Sequence, residues 1–532
     1  MKRINAIALC MIAASASYGQ QQEAKGRVYI DANKNNKFDK SEKGLAGVSV
    51  SNGEQVVVTD EDGNYVLPVG DDNIIFAVKP SGYSFHLDET NKLKYYYIHK
   101  PNGAPADFKY KGAAPTGKLP TSVDFALTKS DEAAQFTALV FGDPQPYTMQ
   151  EIEYFDKAIL GETSGIKNVA FGISLGDLVG DNLDLHQPYI DVVKKAGVPW
   201  YNVMGNHDMN YDAKEDKHAD ETFEKNFGPA NYAFNYGNAH FIVLDDILYP
   251  DPRDGKGYWG GFRDDQLIFL ANDLKQVPKD KLIVLSYHIP LLTGSDSSFI
   301  LDHRQRLFDI LKDFPNVLSM SAHTHLQRHN FYNKEDGWNG SKPFHEYNAG
   351  TTSGDWYSGE LNEQGVPVST MRDGTPKGYA FLRVDGNQYV IDYKVAGKPA
   401  EHQINIFNPK VVAQNKRTSS AIYANFFMGG ENDIVECKVD NSDWVKMSRV
   451  ENADPTFLDR LHRWDYAQKL MPGRRPSNAE ACTHLWTAPM MTKLDAGTHK
   501  IEVRATDMFG RKHSATSKYT VEAQADTKGA GQ

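Results

Sequence analysis

The middle of the chain alternates short apolar segments with stretches of helical periodicity, and this alternation restricts the fold more than any other feature. The segments predicted as strands are 136–141, 169–175, 200–204, 241–244, 282–287 and 317–321. Helical spacing of apolar residues marks the intervening stretches 149–160, 264–274 and 303–314. Strands that alternate with helices are typical of layered α/β domains. We therefore predict a fold of the α/β class, with a layered core over residues 136–396.

The segments on both sides of this core contain short runs in which apolar and polar residues alternate, and turn residues separate these runs. Examples are 27–30 and 65–67 before the core and 498–504 after it. Such runs favour small β-sandwiches. A chain of 532 residues also needs about three domains, at ~100–200 residues each. We predict an N-terminal β-sandwich over 24–128 and a C-terminal β-rich, sandwich-like domain over 402–524.

The first residues have the layout of a secretory signal peptide. Two basic residues precede a largely apolar run, 4–16, and small residues follow it. That run is too short to span a bilayer but fits the apolar region of an export signal. We predict a signal peptide over 1–19, cleaved after Gly19 or alternatively after Ala16, and hence a secreted protein, periplasmic or extracellular. No later segment reaches the ~18 apolar residues of a membrane span, so we expect no stable membrane insertion.

The charge and the cysteine content exclude several classes of protein. The net charge is −11, whereas nucleic-acid binding rewards a basic surface, so we expect no nucleic-acid partner. Three cysteines in the whole chain exclude a disulfide scaffold and a cysteine-rich zinc module. Once the signal peptide is removed, Cys437 and Cys482 remain. They either pair in an oxidising compartment or stay as free thiols.

Five short polar motifs follow one another within the α/β core, most of them just after an apolar segment. They are G-D-P-Q at 142–145, G-D at 176–177, G-N-H-D at 205–208, Y-H at 287–288 and H-T-H at 323–325. Loops at the carboxyl ends of strands converge in layered α/β proteins. A single Asp there is often a helix cap, and a single His is often a core residue. Five motifs in this order indicate a metal site.

With these motifs, residues 136–395 resemble the calcineurin-like metallophosphoesterases. That family carries D-x-H, G-D, G-N-H-D/E, a lone His and G-H-x-H in the same order. In this chain Gln145 stands where the family usually has His, and Ala322 replaces the Gly of the last motif. The whole chain is similar to exported bacterial members with N- and C-terminal β accessory domains. The resemblance implies a core with α/β/β/α layers.

The resemblance also implies two divalent metal ions. Asp143, Gln145, Asp177 and His325 would hold the first ion, and Asp177, Asn206, His288 and His323 the second. Carboxylate, amide oxygen and imidazole ligands suit Mn, Fe, Zn or Mg. Gln145 is a weaker ligand than His, so we expect looser occupancy of the first position or a preference for an ion harder than zinc.

Catalysis, by the same resemblance, would involve His207, which matches the family's catalytic histidine. It would stabilise the transferring phosphoryl group and protonate the leaving group, with a carboxylate orienting its imidazole. Asp208 and Asp181 are both candidates for that carboxylate. The implied reaction is hydrolysis of a phosphate ester by in-line attack of a metal-bridging hydroxide. Phosphatase and phosphodiesterase activity are both compatible, and the alternative is a catalytically inactive surface binding protein on this fold.

An aromatic pair in the glycine-rich segment 350–359 is a candidate for substrate binding. Trp356 and Tyr357 either form a wall over the site or anchor one domain on another.

A second ion site is predicted in the N-terminal domain. Oxygen-bearing side chains occupy positions 1, 3, 5, 9 and 12 of a loop, the positions used by calcium loops, and these are Asp31, Asn33, Asn35, Asp39 and Glu42. Asn36 takes the place of the turn glycine, and Asn tolerates a left-handed backbone. The loop resembles the calcium loops of bacterial adhesin B repeats, and 59–65 resembles a turn of transthyretin-like domains. A polar turn without metal is the alternative.

Overall fold

Two sheets packed face to face form the N-terminal part of the chain. In the computed structural model, which describes residues 22–291 and 298–523, its strands are β1 (Gln22–Ile30), β2 (Lys43–Gly44), β3 (Ser49–Ser51), β4 (Val56–Val58), β5 (Asn64–Val69), β6 (Asn73–Ala77), β7 (Tyr83–Phe85), β8 (Tyr96–His99) and β9 (Phe125–Lys129). One sheet has the order β2-β1-β9-β7, with β5 paired to β1, and the other has the order β4-β3-β6-β8. Val28, Leu67 and Ile75 are fully buried in this part of the core. The predicted β-sandwich is confirmed, whereas the predicted signal peptide lies outside the described residues.

The central part contains two larger sheets. Its strands are β10 (Gln135–Phe141), β11 (Phe171–Leu175), β12 (Trp200–Val203), β13 (Tyr232–Tyr236), β14 (Ala239–Val243), β15 (Ile247–Leu248), β16 (Trp259–Gly260), β17 (Leu282–Ser286), β18 (Val317–Ser321), β19 (Arg328–Tyr332), β20 (Phe344–Asn348), β21 (Gly378–Asp385) and β22 (Gln388–Val395). The sheet orders are β12-β11-β10-β21-β22 and β13-β14-β17-β18-β20-β19. The two sheets face each other through aromatic rings, such as Phe171 and Phe241 at 5.2 Å between centroids.

Helices cover the outer faces of these two sheets. They are α1 (Met149–Phe155), α2 (Gly161–Thr163), α3 (His186–Val193), α4 (Glu221–Phe227), α5 (Asp264–Leu274) and α6 (Leu301–Leu311), and a π-helical turn, Asp156–Leu160, joins α1 to α2. Phe155 of α1 packs on Phe141 of one sheet, and Phe308 of α6 packs on Phe344 of the other. Every residue of β11, β17 and β18 is buried, because each strand lies between a helix layer and the opposite sheet. The predicted α/β/β/α core is confirmed.

The C-terminal part is again built mainly from strands. They are β23 (Ile404–Phe407), β24 (Val411–Ala413), β25 (Ala421–Phe426), β26 (Ile434–Val439), β27 (Val445–Lys446), β28 (Ser448–Ala453), β29 (Ala481–Pro489), β30 (Gly497–Thr506) and β31 (Lys512–Glu522). They form two sheets, β23-β25-β29-β28 and β24-β31-β30-β26-β27. One helix, α7 (Pro455–Asp465), was not predicted, although Asp454 caps it and Pro455 occupies its first turn. Cys437 and Cys482 are buried free thiols, so of the two alternatives the structure has the unpaired one. No helix in the described ranges is long and apolar enough to cross a membrane.

Candidate metal centre

Five polar loops meet at one edge of the central sheets. Each follows the carboxyl end of a strand, and in chain order they carry Asp143, Asp177, Asn206, His288 and His323 after β10, β11, β12, β17 and β18. Within each sheet these strands are parallel neighbours. Parallel strands bring their carboxyl ends to the same edge. Side chains that are 180 positions apart in the sequence therefore become neighbours, as when the His323 backbone N–H donates to Asp143.

The possible ligand atoms converge on the Nε2 atom of His288. This nitrogen lies 3.2 Å from Asn206 Oδ1, 3.2 Å from His323 Nδ1 and 3.3 Å from Asp177 Oδ1. The Oδ1 atom of Asp143 is 3.9 Å away. Asp177, His288 and His323 each offer one ligand atom, and these atoms lie within 4.8 Å of one another. This convergence is the geometry of a metal site.

Second hydrogen bonds orient two of the imidazoles. The Nδ1–H of His288 donates to the Leu175 carbonyl, and that of His325 donates to the Gly354 carbonyl, both at 2.8 Å. These bonds place a proton on Nδ1 and direct Nε2 toward the centre as the nitrogen that can bind a metal. Both rings are buried. The His325 ring is neutral, because burial lowers its pKa to about 4. Burial also acts to lower the pKa of His288, but the charge of Asp177 outweighs it and raises that pKa to about 10, so a metal at Nε2 would displace a proton there.

The unpaired polar atoms at the centre fit divalent cations. Gln145 is buried, and its Oε1 has no hydrogen-bond partner. Asp143 and Asp177 are buried carboxylates, and no lysine or arginine within 22–291 or 298–523 forms an ion pair with either. Their partners are the His288 ring and two backbone N–H groups, and two buried carboxylates with so little counter-charge are costly. Bound divalent cations would remove this cost, and oxygen and imidazole ligands suit them.

The pKa values of the ligand side chains follow from burial and from their mutual charges. Burial raises the pKa of Asp143, against the attraction of His288, and the Asp177 charge adds to the increase. Burial also acts to raise the pKa of Asp177, but the positive charges of His288 and His207 outweigh it and hold the pKa below its usual value. Burial lowers the pKa of His323 to about 3 and that of His325 to about 4. These two imidazoles are therefore neutral near neutral pH.

The structure distinguishes between the two carboxylates considered for orienting His207. Asp181 Oδ1 lies 2.7 Å from His207 Nδ1. Asp208 is directed elsewhere: it accepts the backbone N–H groups of Leu178, Val179 and Gly205. The expectation that either residue could serve is thus corrected to Asp181 alone, because the carboxylate of Asp208 is used to hold the loop.

His207 is held in its protonated form. Burial lowers its pKa, but the charge of Asp177 and the hydrogen bond with Asp181 outweigh this and raise the pKa to about 9. Its backbone N–H donates to Asp177 Oδ1 at 2.9 Å, which fixes it beside the metal centre. A protonated imidazole in this position can act as a general acid.

Backbone conformations with positive φ are concentrated at the centre. Of the fifteen described non-glycine residues with positive φ, eight belong to its loops: Asp143, Gln145, Asp177, Asp181, His323, His325, Trp356 and Tyr357. Such conformations cost of order 1–3 kcal/mol each and persist where the surrounding structure holds them. The surrounding structure therefore holds these loops in the conformations that direct their side chains into the centre.

The two aromatic candidates in 350–359 differ. Tyr357 is buried, and its hydroxyl donates to the Pro144 carbonyl. It supports the loop of Asp143 and has no surface for a ligand, so the expectation that it binds substrate is corrected. Trp356 is partly exposed and stacks on His325, with 4.1 Å between ring centroids. Of the two aromatic residues, only Trp356 remains a candidate for contact with a substrate.

The predicted calcium loop brings its five side chains together through hydrogen bonds. Asp31 accepts the backbone N–H groups of Asn35 and Asn36, and Asp39 accepts the side-chain amides of Asn33 and Asn35. Glu42 accepts the backbone N–H groups of Ala32 and Asp39. Asn36 has a φ of 58°, as expected for the residue in place of glycine.

Several residues of the site were not found from the sequence. The ring of Tyr147 lies 5.9 Å from that of His207, and the hydroxyl of Tyr211 donates to the Asn206 carbonyl. Asp246 accepts the backbone N–H groups of His288 and Ile289. Asp246 follows the end of β14, so the occurrence of polar residues after strands predicts it as a site residue. The tyrosines carry no comparable signal.

Three models of one family match consecutive parts of the chain. They are described as N terminal of calcineurin-like phosphoesterase, over residues 32–113, calcineurin-like phosphoesterase, over 136–327, and C terminal of calcineurin-like phosphoesterase, over 346–513. The chain belongs to the calcineurin-like phosphoesterase family and carries the family's N- and C-terminal domains. Membership implies phosphorylated substrates and divalent metal ions, in agreement with the convergent ligand atoms.

Individual relatives match shorter parts. The "Probable glycerophosphodiester phosphodiesterase GpdQ" of Arcobacter nitrofigilis is 25% identical over 184 residues, which are 33% of this chain and 63% of the relative. The "Uncharacterized protein YvnB" of Bacillus subtilis is 28% identical over 209 residues, 36% of this chain and 15% of the relative. The match therefore spans less than two thirds of each relative's length. Among solved structures, the purple acid phosphatase PPD1 of yellow lupin (Lupinus luteus) is 13% identical with a TM-score of 0.35, covering 66% of this chain and 67% of that one.

Proposed function

We propose that this chain is an exported, metal-dependent phosphoric ester hydrolase with a binuclear centre. The observation that carries the proposal is the convergence of Asp143, Asp177, Asn206 and His323 on His288 Nε2 within 3.9 Å. A cluster of this composition, with no lysine or arginine among the described residues to neutralise it, needs cations.

The ligands divide into two sets that share Asp177. Asp143, Gln145, Asp177 and His325 would hold one ion, and Asp177, Asn206, His288 and His323 the other. When bound, two divalent ions activate a water for in-line attack on phosphorus and neutralise the phosphate charge. The oxygen ligand Gln145 favours a hard ion such as Mn or Mg at the first position.

His207 has the properties needed to protonate the leaving group. Its backbone is fixed to Asp177, and Asp181 keeps Nδ1 occupied. The Nε2–H of the imidazolium is then the group that can donate to the departing oxygen. After the transfer, the negative charge of Asp181 favours return of a proton to the ring.

The test uses a phosphate monoester and a phosphate diester, because the Arcobacter relative is named a phosphodiesterase. The full chain, loaded in turn with Mn²⁺, Fe²⁺, Zn²⁺ or Mg²⁺, is given p-nitrophenyl phosphate and bis(p-nitrophenyl) phosphate. We expect hydrolysis of at least one ester. His323→Ala should lose both bound metal and activity. His207→Ala should keep its metal and lose turnover by about 10²–10⁴-fold. A wild-type chain that binds metal but hydrolyses neither ester would favour the alternative of an inactive surface binding protein.

Export is proposed from the basic and apolar layout of residues 1–19. Expression of the whole chain in a bacterium, followed by sequencing of the N-terminus of the periplasmic or secreted product, tests this. Cleavage after Gly19 leaves Gln20 first, and cleavage after Ala16 leaves Ser17 first. A cytoplasmic product that retains residues 1–19 would contradict the proposal.

A structural calcium ion is proposed for the loop of Asp31, Asn33, Asn35, Asp39 and Glu42. The side-chain amides of Asn33 and Asn35 already meet Asp39, and the loop offers the carboxylate and amide oxygens that calcium binds. Calcium should raise the Tm of the wild type, and the increase should disappear in Asp31→Asn. If calcium leaves the wild-type Tm unchanged, the loop is a polar turn without metal.

A further inference from the structure

A segment of the C-terminal domain lies against the loop beside the metal centre. The Gly359 backbone N–H donates to the Arg474 carbonyl at 2.7 Å, and the Ser477 backbone N–H donates to Asp355 at 2.7 Å. Further along the segment, the Glu480 side chain forms an ion pair with Arg372. These contacts fix the segment 473–480 to loops of the central domain on both sides of Trp356.

The contact is too close for a side chain at position 473. Gly473 has a φ of 104°, and a Cβ atom there would lie 2.2 Å from the Gly359 carbonyl oxygen. Only glycine therefore permits this approach of the two backbones. The position of the next residue, Arg474, is consequently defined by the fold.

The side chain of Arg474 contacts the residue that packs against a proposed metal ligand. Its Nη2 donates to the Trp356 carbonyl, and the Trp356 ring stacks on His325, a proposed metal ligand, at 4.1 Å. Burial and the charges of Asp181 and Asp177 raise the pKa of Tyr147, and the positive charge of Arg474 acts in the opposite direction. The Tyr147 ring in turn contacts His207 at 5.9 Å.

The charge of Arg474 is not neutralised by the protein, unlike that of the neighbouring arginines. Arg475 is held by both oxygens of Asp465, at 2.6 and 2.9 Å, and Arg372 by Glu480. Arg474 is exposed, and no carboxylate in the described part of the chain forms an ion pair with it. One of its five N–H donors is used by Trp356. The others remain available to a ligand.

We propose that Arg474 is a substrate-binding residue, supplied by the C-terminal domain, that binds an anionic oxygen of the phosphate ester at the metal centre. The inference rests on the proposed function, since it takes a phosphate ester as the ligand. A guanidinium is suited to this role because it presents parallel N–H donors to a phosphate. The C-terminal domain would then complete the substrate site.

The test compares Arg474→Gln and Arg474→Lys with a matched control, Arg463→Gln. Arg463 is an exposed arginine of α7 in the same domain, and its partner is Asp459 at 2.5 Å rather than the contact segment. Its replacement therefore removes one positive charge without breaking a contact of the segment 473–480. Calorimetry measures the affinity of the Mn²⁺-loaded full chain for inorganic phosphate. Steady-state kinetics with p-nitrophenyl phosphate give KM and kcat.

In Arg474→Gln we expect the affinity for phosphate to fall about tenfold and KM to rise about tenfold, the loss typical of one charged hydrogen bond. The kcat, the Mn²⁺ affinity and the Tm should stay unchanged. Arg474→Lys should recover part of the binding, and Arg463→Gln should behave as the wild type.

If Arg474→Gln bound phosphate with the affinity of the wild type and had the same KM, the inference would be overturned. A loss of Tm or of Mn²⁺ affinity that Arg474→Lys does not rescue would also overturn it, because the residue would then only hold the Trp356 loop. Failure of the proposed function is a separate result: the wild type would hydrolyse no ester. If it still bound phosphate through Arg474, an anion-binding role of this residue would stand without catalysis.

Discussion

Asp181 and Asp208 show how two carboxylates on neighbouring loops of one site take different roles. Asp181 is half-exposed and touches the His207 ring, whereas Asp208 is buried and accepts three backbone N–H groups. Replacing each by asparagine separates orientation of the imidazole from stability of the loop.

Asp181→Asn should lower kcat by about tenfold or more, because the imidazolium loses its anionic partner, and should leave metal content and Tm unchanged. Asp208→Asn should lower the free energy of unfolding by about 1–3 kcal/mol, because an amide NH₂ would face N–H donors. Steady-state kinetics and urea unfolding of both variants check this. Loss of turnover without loss of stability in Asp208→Asn would contradict the assignment.

Gln145 is the ligand position in which this chain departs from the usual family motif. Its Oε1 is buried without a partner, and an amide oxygen binds zinc more weakly than an imidazole nitrogen. Gln145→His should therefore increase the zinc retained after dialysis against buffered zinc and should shift the preference among Mn²⁺, Mg²⁺ and Zn²⁺. Metal analysis of the two proteins checks this. Equal metal content and an equal activation profile would show that Gln145 is not a ligand.

The end of β8 and the start of α4 are joined by a buried ionic cluster. Lys100 Nζ lies 2.6 Å from Glu221, 2.7 Å from Glu224 and 3.0 Å from Asp72. Asp72, Glu221 and His218 have the spacing of a possible cation site, and the Lys100 ammonium already supplies a positive charge to that cluster. This cluster connects the N-terminal sandwich to the central domain.

Lys100→Met should lower the free energy of unfolding by about 3–5 kcal/mol, because it leaves buried carboxylates without a counter-charge. The control is Lys25→Met, which breaks an exposed pair with Glu23 and should leave the unfolding midpoint in place. Urea unfolding compares the two. Equal midpoints for both variants would show that the cluster contributes no stability.

A buried lysine lines the cavity between the central and C-terminal domains. Lys377 Nζ donates to the Pro367 carbonyl at 2.6 Å, and burial lowers its pKa to about 8. The cavity of ≈ 440 Å³ is lined on its other side by Asp454 and Arg460. In the unfolded chain the pKa of a lysine is about 10.4.

Between these two pKa values the unfolded chain binds more protons at Lys377 than the folded protein does. The stability therefore rises with pH in this window. From about pH 7.5 to pH 9.5 the wild type should gain about 2 kcal/mol relative to Lys377→Met, in which the group is absent. Urea unfolding at both values checks this. A difference between wild type and variant that is the same at both values would mean that the lysine titrates normally.

Much of the architecture was predictable because the signals are local. The strand predicted at 317–321 is observed at those residues, and the helix predicted at 303–314 begins two residues earlier, at Leu301. The sequence patterns do not predict α7, although Asp454 and Pro455 are typical of a helix start, because this single helix lies among runs with the periodicity of strands.

The layered core, the flanking sandwiches and the set of polar loops follow from the amino-acid order, since periodicity and strand-end motifs depend on residues that are close in the chain. Three contacts follow instead from the packing of the folded chain: Asp181 rather than Asp208 reaches His207, Tyr357 is buried, and Arg474 lies beside Trp356. Each of these contacts depends on how whole elements pack, and Arg474 and Trp356 are 118 positions apart. No local pattern encodes the direction of a side chain toward a partner that another domain supplies.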